Sequence, residues 1–251
     1  MLKSLHIAGL HTSCKICGGP AALYGVVDFN KNCLERENVF PVLSGVPVYY
    51  YRCESCGLIF SRAFDEWTHA DFQEHIYNSD YARVDPDYAE TRPQLLADMV
   101  FNFIKQAGQL KVLDYGGGAG RTAELLRARG IAATSWDPMT SAALPPGALF
   151  DVVTCFEVFE HTPVPLATAE DALRLLDPKG VLIFSTLTAD ELPPRAVHAW
   201  YIAPRNGHIT IYTKTALKVM FERFGCTVHH FNSNVHMAYR QLPAWLAPQR
   251  A

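Results

Sequence analysis

The chain has 251 residues, of which 49% are hydrophobic and 19% charged, and its formal net charge at pH 7 is −3. This composition is typical of a globular protein with an ample core. It argues against a protein whose main task is gripping nucleic acid, because phosphate binding needs clustered lysine and arginine. No run of 18 apolar residues occurs, so no membrane span is expected. Residues 1–11 lack the ordered regions of a signal peptide, which predicts a cytoplasmic protein.

Residues 1–62 are predicted to form a zinc-ribbon module. Cys14 and Cys17 make one Cys-x-x-Cys pair and Cys53 and Cys56 a second, and a glycine follows each pair. Two such knuckles supply the four thiolates that a structural Zn²⁺ prefers, and in a reducing compartment they indicate a metal rather than disulfides. A redox dithiol or unligated thiols are the alternatives, which the repeated shape of the pairs disfavours. Cys33 lies between the pairs and is interpreted as a spare cysteine.

The predicted module is close to electrically neutral. Residues 1–62 carry six basic and four acidic side chains, and a Zn²⁺ with four thiolates adds a charge of about −2. The module is therefore a poor candidate for an RNA-binding ribbon. Strands are predicted at Val46–Arg52, leading into the second knuckle, and at Leu58–Phe60, leading out of it.

Residues 63–108 are predicted to form a helical cap or linker. Large apolar side chains recur there at roughly helical spacing: Trp67, Phe72, Ile76, Tyr77 and Tyr81. They could be the core of the cap, or Tyr77 and Tyr81 could close a ligand pocket, and the pattern leaves both interpretations open. A second helix is predicted from Arg92-Pro93, because proline is tolerated in a first turn, to an end at Gly108.

Residues 109–251 alternate between predicted strands and helices. This alternation with short connections predicts an α/β domain, a Rossmann-like, doubly wound, mostly parallel sheet with helices on both faces. No convincing third strand occurs between residues 140 and 149. The predicted strands are Lys111–Asp114, Ile131–Trp136, Asp151–Phe156, Val181–Thr186 and an antiparallel pair, Thr227–Phe231 with His236–Arg240; the predicted helices are Thr122–Arg129, Ala167–Leu176 and Lys214–Phe224, the last capped by Thr213.

A glycine-rich turn follows the first of these strands. The pattern is Asp114-x-Gly116-x-Gly118-x-Gly120, and glycines at this point let a ligand lie against the backbone at a helix N-terminus. Asp137 ends the second strand, where a carboxylate can accept hydrogen bonds from a ribose diol. Asp114 beneath the turn would repel a pyrophosphate but suits an ammonium group. This favours a methionine-derived ligand over a dinucleotide and makes a nicotinamide dehydrogenase a rejected alternative.

Several motifs together resemble the class I S-adenosylmethionine-dependent methyltransferase family. They are residues 112–120, 135–138, 150–153, 157–161, 176–182 and 207–209. The resemblance implies a seven-stranded sheet with a reversed final strand and a site for S-adenosylmethionine. Residues 139–150 lack the acidic residue that holds adenine in many members, so Met139 is a candidate for an apolar adenine contact. The proposed donor-binding residues are Asp114, Tyr115, Gly116, Gly118, Asp137, Pro138, Met139, Phe156, Glu157 and Tyr81.

Two histidines are candidate general bases, because imidazole titrates near neutral pH. His161 follows the strand that ends near residue 156, and His208 lies in the long segment after the next strand. A structural role is the alternative for each. Some relatives use a Glu-x-x-Glu-His pattern around a divalent metal, so Glu157, Glu160 and His161 are also candidate metal ligands.

The resulting hypothesis is an O- or N-methyltransferase for a small polar metabolite or a sugar or nucleotide-sugar, with no nucleic-acid or membrane partner. The N-terminal knuckles are also similar to those of bacterial methyltransferases that act on such molecules. Two alternatives stay open: an rRNA or tRNA methyltransferase that uses the ribbon for recognition, and a non-catalytic protein that binds S-adenosylmethionine.

Overall fold

A computed structural model of the chain describes residues 9–140, 144, 147–192 and 196–246. These residues form two sheets with five helices around them. The strands are β1 His11–Ser13, β2 Pro20–Asp28, β3 Pro47–Cys53, β4 Ile59–Ser61, β5 Lys111–Tyr115, β6 Ala132–Trp136, β7 Phe150–Cys155, β8 Leu176–Ser185, β9 Thr210–Ile211, β10 Thr227–His230 and β11 Val235–Tyr239. The helices are α1 His69–His75, α2 Thr91–Ile104, α3 Arg121–Arg127, α4 Pro165–Arg174 and α5 Lys214–Glu222.

The larger sheet confirms the predicted α/β fold. Its strand order is β10-β11-β8-β7-β5-β6. Strands β6, β5, β7 and β8 are parallel, and β11 pairs antiparallel with both β8 and β10. The terminal antiparallel pair and the reversed final strand are therefore as expected. The described residues supply six of the seven expected strands. The link where the sequence lacked a third strand falls partly outside them.

The smaller sheet contains the ribbon but is completed by the larger domain. Its order is β1-β2-β3-β4-β9, and β9 pairs antiparallel with β4 through Ile59–Ile211 and Phe60–Thr210. Neither β9 nor β2 was predicted. Buried side chains of the ribbon, Ile16 and Leu58 among them, share one core cluster with Leu113, Phe184 and Phe221 of the larger domain. The two sheets are thus joined by both hydrogen bonds and a common core. The division of the chain into domains at residues 1–62, 63–108 and 109–251 stays a prediction.

The cap is helical only in part. Helix α1 begins at a capping box in which the Thr68 hydroxyl accepts from the Asp71 N–H and the Asp71 carboxylate accepts from the Thr68 N–H. Helix α2 ends at Ile104, four residues before the predicted end at Gly108. The segment between the helices is held by a two-pronged ion pair from Arg92 to Asp85, with both N–O distances 2.7 Å.

Local signals in the larger domain set element ends to within a few residues. Helix α5 begins after Thr213, whose hydroxyl accepts from Ala216 N–H at 2.9 Å, as predicted. Residues 152–155 of β7 and 180–185 of β8 are buried without interruption because both faces of a parallel sheet are covered. Among the helices of the described ranges, none has both the length and the hydrophobicity to cross a bilayer.

Candidate active site

The glycine turn lies at the carboxyl end of β5, between that strand and α3. Gly116, Gly118 and Gly120 have φ angles of +74°, +55° and +80°, values that side-chain-bearing residues rarely adopt. A Cβ on Gly117 would collide with the Asp114 carboxylate and the Ser135 hydroxyl, and one on Gly116 would collide with Val158. The turn is therefore a backbone-lined cradle that only glycine can build.

Asp114 sits beneath this cradle with an unused carboxylate oxygen. The residue is 3% exposed, and its Oδ1 accepts from the Thr154 hydroxyl at 3.1 Å. Its Oδ2 has no hydrogen-bond partner among the described residues. Burial raises the pKa of Asp114 to about 6, and the Thr154 hydrogen bond opposes that shift. A buried carboxylate with a free oxygen fits the ammonium group of a methionine moiety, which would offset the cost of burial.

Asp137 lies at the tip of β6, directly beside the turn. Its Oδ2 accepts from Gly118 N–H at 3.1 Å and its Oδ1 from Met139 N–H at 2.8 Å. These bonds hold the Asp137 carboxylate against the main chain of the turn. Met139 packs against a core cluster shared by the ribbon, the cap and the 189–211 segment, and its carbonyl lies 3.5 Å from the Gln73 amide of α1. The cap therefore reaches Met139, two residues after Asp137.

Three other predicted donor residues direct their side chains elsewhere. The Tyr115 ring packs on Trp136 at 4.9 Å and its hydroxyl donates to Asp171 at 2.9 Å, which leaves only its main chain at the turn. Phe156 is buried in the core cluster on the α2 side of the sheet. Tyr81 is 8% exposed in the cap core, and its hydroxyl donates to Asp85 at 3.3 Å. The interpretation of Tyr81 as cap core thus agrees with its packing.

Glu157, which follows β7, has an unusual backbone conformation. Its φ is +54°, in a region that costs a non-glycine residue of the order of 1 kcal/mol or more. Ser185 at the end of β8 holds it twice: the hydroxyl accepts from Glu157 N–H at 2.9 Å and donates to Glu157 Oε1 at 2.7 Å. This brace fixes the direction in which the Glu157 carboxylate leaves β7.

Glu157, Glu160, His161 and His208 converge in one cluster. One potential metal-binding atom from each lies within 4.8 Å of those from the other three. Glu160 Oε2 and His161 Nδ1 are buried and have no hydrogen-bond partner within the described part of the chain. Burial and the neighbouring Glu157 raise the pKa of Glu160 well above its ordinary value, and burial lowers that of His161. Two carboxylates, two neutral imidazoles and orphaned buried atoms fit a divalent cation.

Tyr201, which the sequence analysis did not single out, orients two members of the cluster. Its hydroxyl donates to Glu160 Oε1 at 2.6 Å, and its carbonyl accepts from His208 Nδ1–H at 2.9 Å. The second bond places the imidazole proton on Nδ1 and leaves Nε2 with a free lone pair. A carbonyl that fixes the tautomer in this way is the usual support of a metal-binding histidine.

Cys33 lies outside the cluster of four cysteines, in agreement with its interpretation as a spare, but it contacts His208. Its sulfur lies 3.6 Å from His208 Nδ1, and its N–H donates to the Asn206 side chain at 2.9 Å. Burial raises the pKa of the Cys33 thiol to about 12, so it is neutral. Nothing in its spacing from the other cysteines could have indicated this contact, because the pairing partner lies far along the chain.

The four cysteines of the knuckles form a second cluster, remote from the glycine turn in sequence. The sulfurs of Cys14 and Cys56 lie 3.6 Å apart and those of Cys17 and Cys53 3.4 Å apart, whereas a tetrahedral Zn²⁺ with bonds of about 2.3 Å places its sulfurs about 3.8 Å apart. All seven cysteines are free of disulfide bonds. Backbone N–H groups, such as that of Ile16, point at the sulfurs. The donor set therefore fits a structural Zn²⁺.

This sheet order and the glycine turn define a class I S-adenosylmethionine-dependent methyltransferase. Residues 88–231 match the model of a family described as a methyltransferase domain, which is more than half of the chain. The chain belongs to this family.

Relatives and solved structures agree with the class. The chain is 28% identical over 163 residues to the ubiquinone biosynthesis O-methyltransferase of Alkalilimnicola ehrlichii, covering 49% of this chain and 66% of that protein. It is 32% identical over 104 residues to the same-named protein of Psychrobacter arcticus, covering 31% and 40%. The chain thus spans less than two thirds of these relatives. The 1,6-didemethyltoxoflavin-N1-methyltransferase of Burkholderia thailandensis shares the fold, with TM-score 0.50, 14% identity and coverage of 81% and 100%.

Proposed function

We propose that the chain transfers the methyl group of S-adenosylmethionine to a hydroxyl oxygen of a small molecule. The observation that supports this most directly is the contact of Val158 with Gly116, which brings the Glu157–His161 loop against the glycine turn. Methyl transfer is an in-line displacement at an already activated sulfonium, so the main task of the protein is to align the two reactants. The glycine turn would hold the donor, and the loop that carries the polar cluster lies against this turn, so the two parts could align the reactants.

In this proposal the donor lies along the glycine turn. The Asp114 carboxylate pairs with the methionine ammonium, the main chain of residues 115–118 follows the methionine, and Asp137 binds the ribose. Pro138 and Met139 contact the adenine, which agrees with the apolar packing of Met139 beneath α1. The main chain of Phe156 and Glu157 lines the opposite side. Tyr77 is assigned to the acceptor side because its ring lies 6.1 Å from that of His161, and Tyr81 supports Tyr77 from the cap core at 5.2 Å.

A divalent cation fits the cluster of Glu157, Glu160, His161 and His208. When bound there it would supply Lewis-acid chemistry that lowers the pKa of an acceptor hydroxyl. The residues of the chain orient this site: Ser185 fixes Glu157, and Tyr201 fixes Glu160 and the tautomer of His208. We therefore propose His161 and His208 as cation ligands, a role that replaces the expected role of general base.

An oxygen acceptor is favoured over a nitrogen acceptor for two reasons. A hydroxyl must lose its proton to become a good nucleophile, and a cluster of hard oxygen and imidazole ligands serves that need. Relatives named O-methyltransferases point the same way. Phenolic and sugar hydroxyls both meet this requirement.

The Cys₄ cluster is proposed to hold structural zinc. Its sulfur separations support this, as does the shared core that the ribbon forms with the larger domain. The β4 edge of the ribbon sheet pairs with β9 of the larger domain. This pairing supports a role within the enzyme more than a role in binding RNA. A cytoplasmic location and the absence of nucleic-acid and membrane partners stay predictions.

Chelation is expected to abolish methyl transfer reversibly. Radiolabelled S-adenosylmethionine is incubated with the protein and a panel of catechols, phenols, sugars and nucleotide-sugars, with amines and total RNA as competing classes. Transfer to a hydroxyl acceptor should fall at least 100-fold in EDTA and return with Mg²⁺ or Mn²⁺ alone, while the zinc content stays constant. Transfer that is unaffected by EDTA, or that is confined to amines or RNA, would contradict the proposal.

A further inference from the structure

The ribbon sheet is hydrogen-bonded, through the 208–212 segment, to the loop that carries Glu157, Glu160 and His161. On one side of the 208–212 segment, Ser61 N–H of β4 donates to Ile209 O at 2.9 Å. On the other side, Ile209 N–H donates to Glu160 O at 2.9 Å and the Thr210 hydroxyl donates to Thr162 O at 2.8 Å. One short strand therefore ties the ribbon directly to the Glu157–His161 loop.

His208 stands at the entry to this strand and is held by the ribbon. The Tyr50 hydroxyl of β3 donates to His208 O at 2.7 Å, although the two residues are 158 positions apart. Tyr50 is fully buried, in the same core cluster as Tyr201 and Ile209. Its hydroxyl thus anchors the main chain of His208, while Tyr201 anchors the ring.

Asn206 adds a second link between the ribbon, the cap and this loop. Its side-chain oxygen accepts from Cys33 N–H at 2.9 Å, and its amide donates to Val84 O at 3.0 Å. The neighbouring Arg205 N–H donates to Lys31 O at 3.1 Å. Asn206 is 2% exposed, so these bonds are shielded from water. The loop before His208 is consequently fixed from both the ribbon and the cap.

We propose that the ribbon is part of the active site. In this proposal Tyr50 and Asn206 are positioning residues that hold the imidazole of His208 beside Glu157, Glu160 and His161. The inference rests on the proposed function for its catalytic meaning, since it assigns the ribbon to the acceptor side of the same site. It gives the N-terminal module a task inside the enzyme. Neither residue touches the donor turn in the contacts described above, so donor binding should not depend on them.

The test compares Tyr50→Phe with Tyr51→Phe, its neighbour on the same strand, whose hydroxyl donates to Gly9 O at the ribbon edge. The first readout is the proton–nitrogen spectrum of the histidine rings, with the His208 signals assigned by their loss in His208→Gln. The second is the affinity for Mn²⁺ measured by electron paramagnetic resonance, because thiolate sites bind Mn²⁺ poorly. Binding of S-adenosylhomocysteine is measured in parallel by calorimetry.

Tyr50→Phe is expected to shift the His208 ring signals and to weaken Mn²⁺ binding about tenfold or more, with unchanged S-adenosylhomocysteine affinity. Tyr51→Phe should change none of these. Asn206→Ala is the second variant, so that a folding defect in one does not decide the result. If the His208 signals in both variants match the wild type, the proposal is wrong. If wild type binds no Mn²⁺, the proposed cation fails, while the ring signals still decide the positioning role.

Discussion

Glu160→Gln is expected to lower kcat for methyl transfer about 1000-fold while leaving the affinity for S-adenosylhomocysteine within about twofold. The substitution keeps the shape of the side chain. It also keeps an oxygen that can accept from the Tyr201 hydroxyl, which in the wild type donates to Glu160 Oε1 at 2.6 Å. It removes the carboxylate that would carry the charge binding the proposed cation, at a position where Glu160 is fully buried. Loss of Lewis-acid assistance is worth several kcal/mol, and about 4 kcal/mol corresponds to this rate change.

The matched control is Glu170→Gln, an exposed carboxylate on α4. It should leave kcat, donor affinity and Mn²⁺ binding at wild-type values. Steady-state kinetics with the best hydroxyl acceptor, together with calorimetry for the donor product, separate the two effects. Full activity of Glu160→Gln, combined with inactivity of His208→Gln in the presence of EDTA, would return His208 to the role of general base.

Cys53→Ser is expected to cause the largest loss of stability of any single substitution considered for this chain. Cys53 is 2% exposed and belongs to the core cluster that joins the ribbon to the larger domain. Removing one thiolate opens a closed tetrahedral site, and structural Zn²⁺ contributes on the order of 10 kcal/mol to small zinc modules. The three remaining thiolates should retain part of that energy. We therefore expect the free energy of unfolding to fall by about 4–5 kcal/mol and Tm to fall by about 10–20 °C.

Cys226→Ser provides the comparison for that experiment. Cys226 is 3% exposed and lies in the same core cluster, but it is not one of the four clustered cysteines. Its Tm should fall by only a few degrees, because a buried thiol exchanged for a hydroxyl loses apolar contact without losing a ligand. Zinc content by atomic emission should drop from one equivalent in wild type to well below one in Cys53→Ser alone. Equal zinc content and equal Tm in the two variants would remove the structural-zinc assignment.

Local sequence patterns were sufficient to predict the geometry of the glycine turn and of its surroundings. The glycines at 116, 118 and 120 have the positive φ angles that their spacing implied, and Asp137 directly follows β6 beside them. Both features depend on contacts within a strand, turn and helix unit, where spacing alone determines which groups meet. The same holds for Thr213 at the start of α5 and for the two cysteine knuckles, whose shape is set within four residues.

The cluster of Glu157, Glu160, His161 and His208 depends on contacts that no local pattern encodes. Strand β9 is two residues long and pairs with β4 from a distant part of the chain, so neither length nor alternation marks it. Tyr50 and Tyr201 read as ordinary core aromatics, and only the folded chain brings their hydroxyls to His208 and Glu160. Cys33 had no visible partner for the same reason. The roles of these residues follow from tertiary packing, which composition and periodicity do not specify.

Calorimetric titration with S-adenosylhomocysteine tests most directly whether the glycine turn binds S-adenosylmethionine. Wild type should bind one equivalent, and Asp137→Ala should weaken binding about 10- to 100-fold through lost hydrogen bonds from the ribose to a charged group. Asp177→Ala is the matched control, since Asp177 also accepts from the N–H two residues ahead, at 2.9 Å, but lies at the start of β8. It should bind like wild type. Absence of binding by wild type, or equal affinity in Asp137→Ala, would contradict the assignment of the donor site.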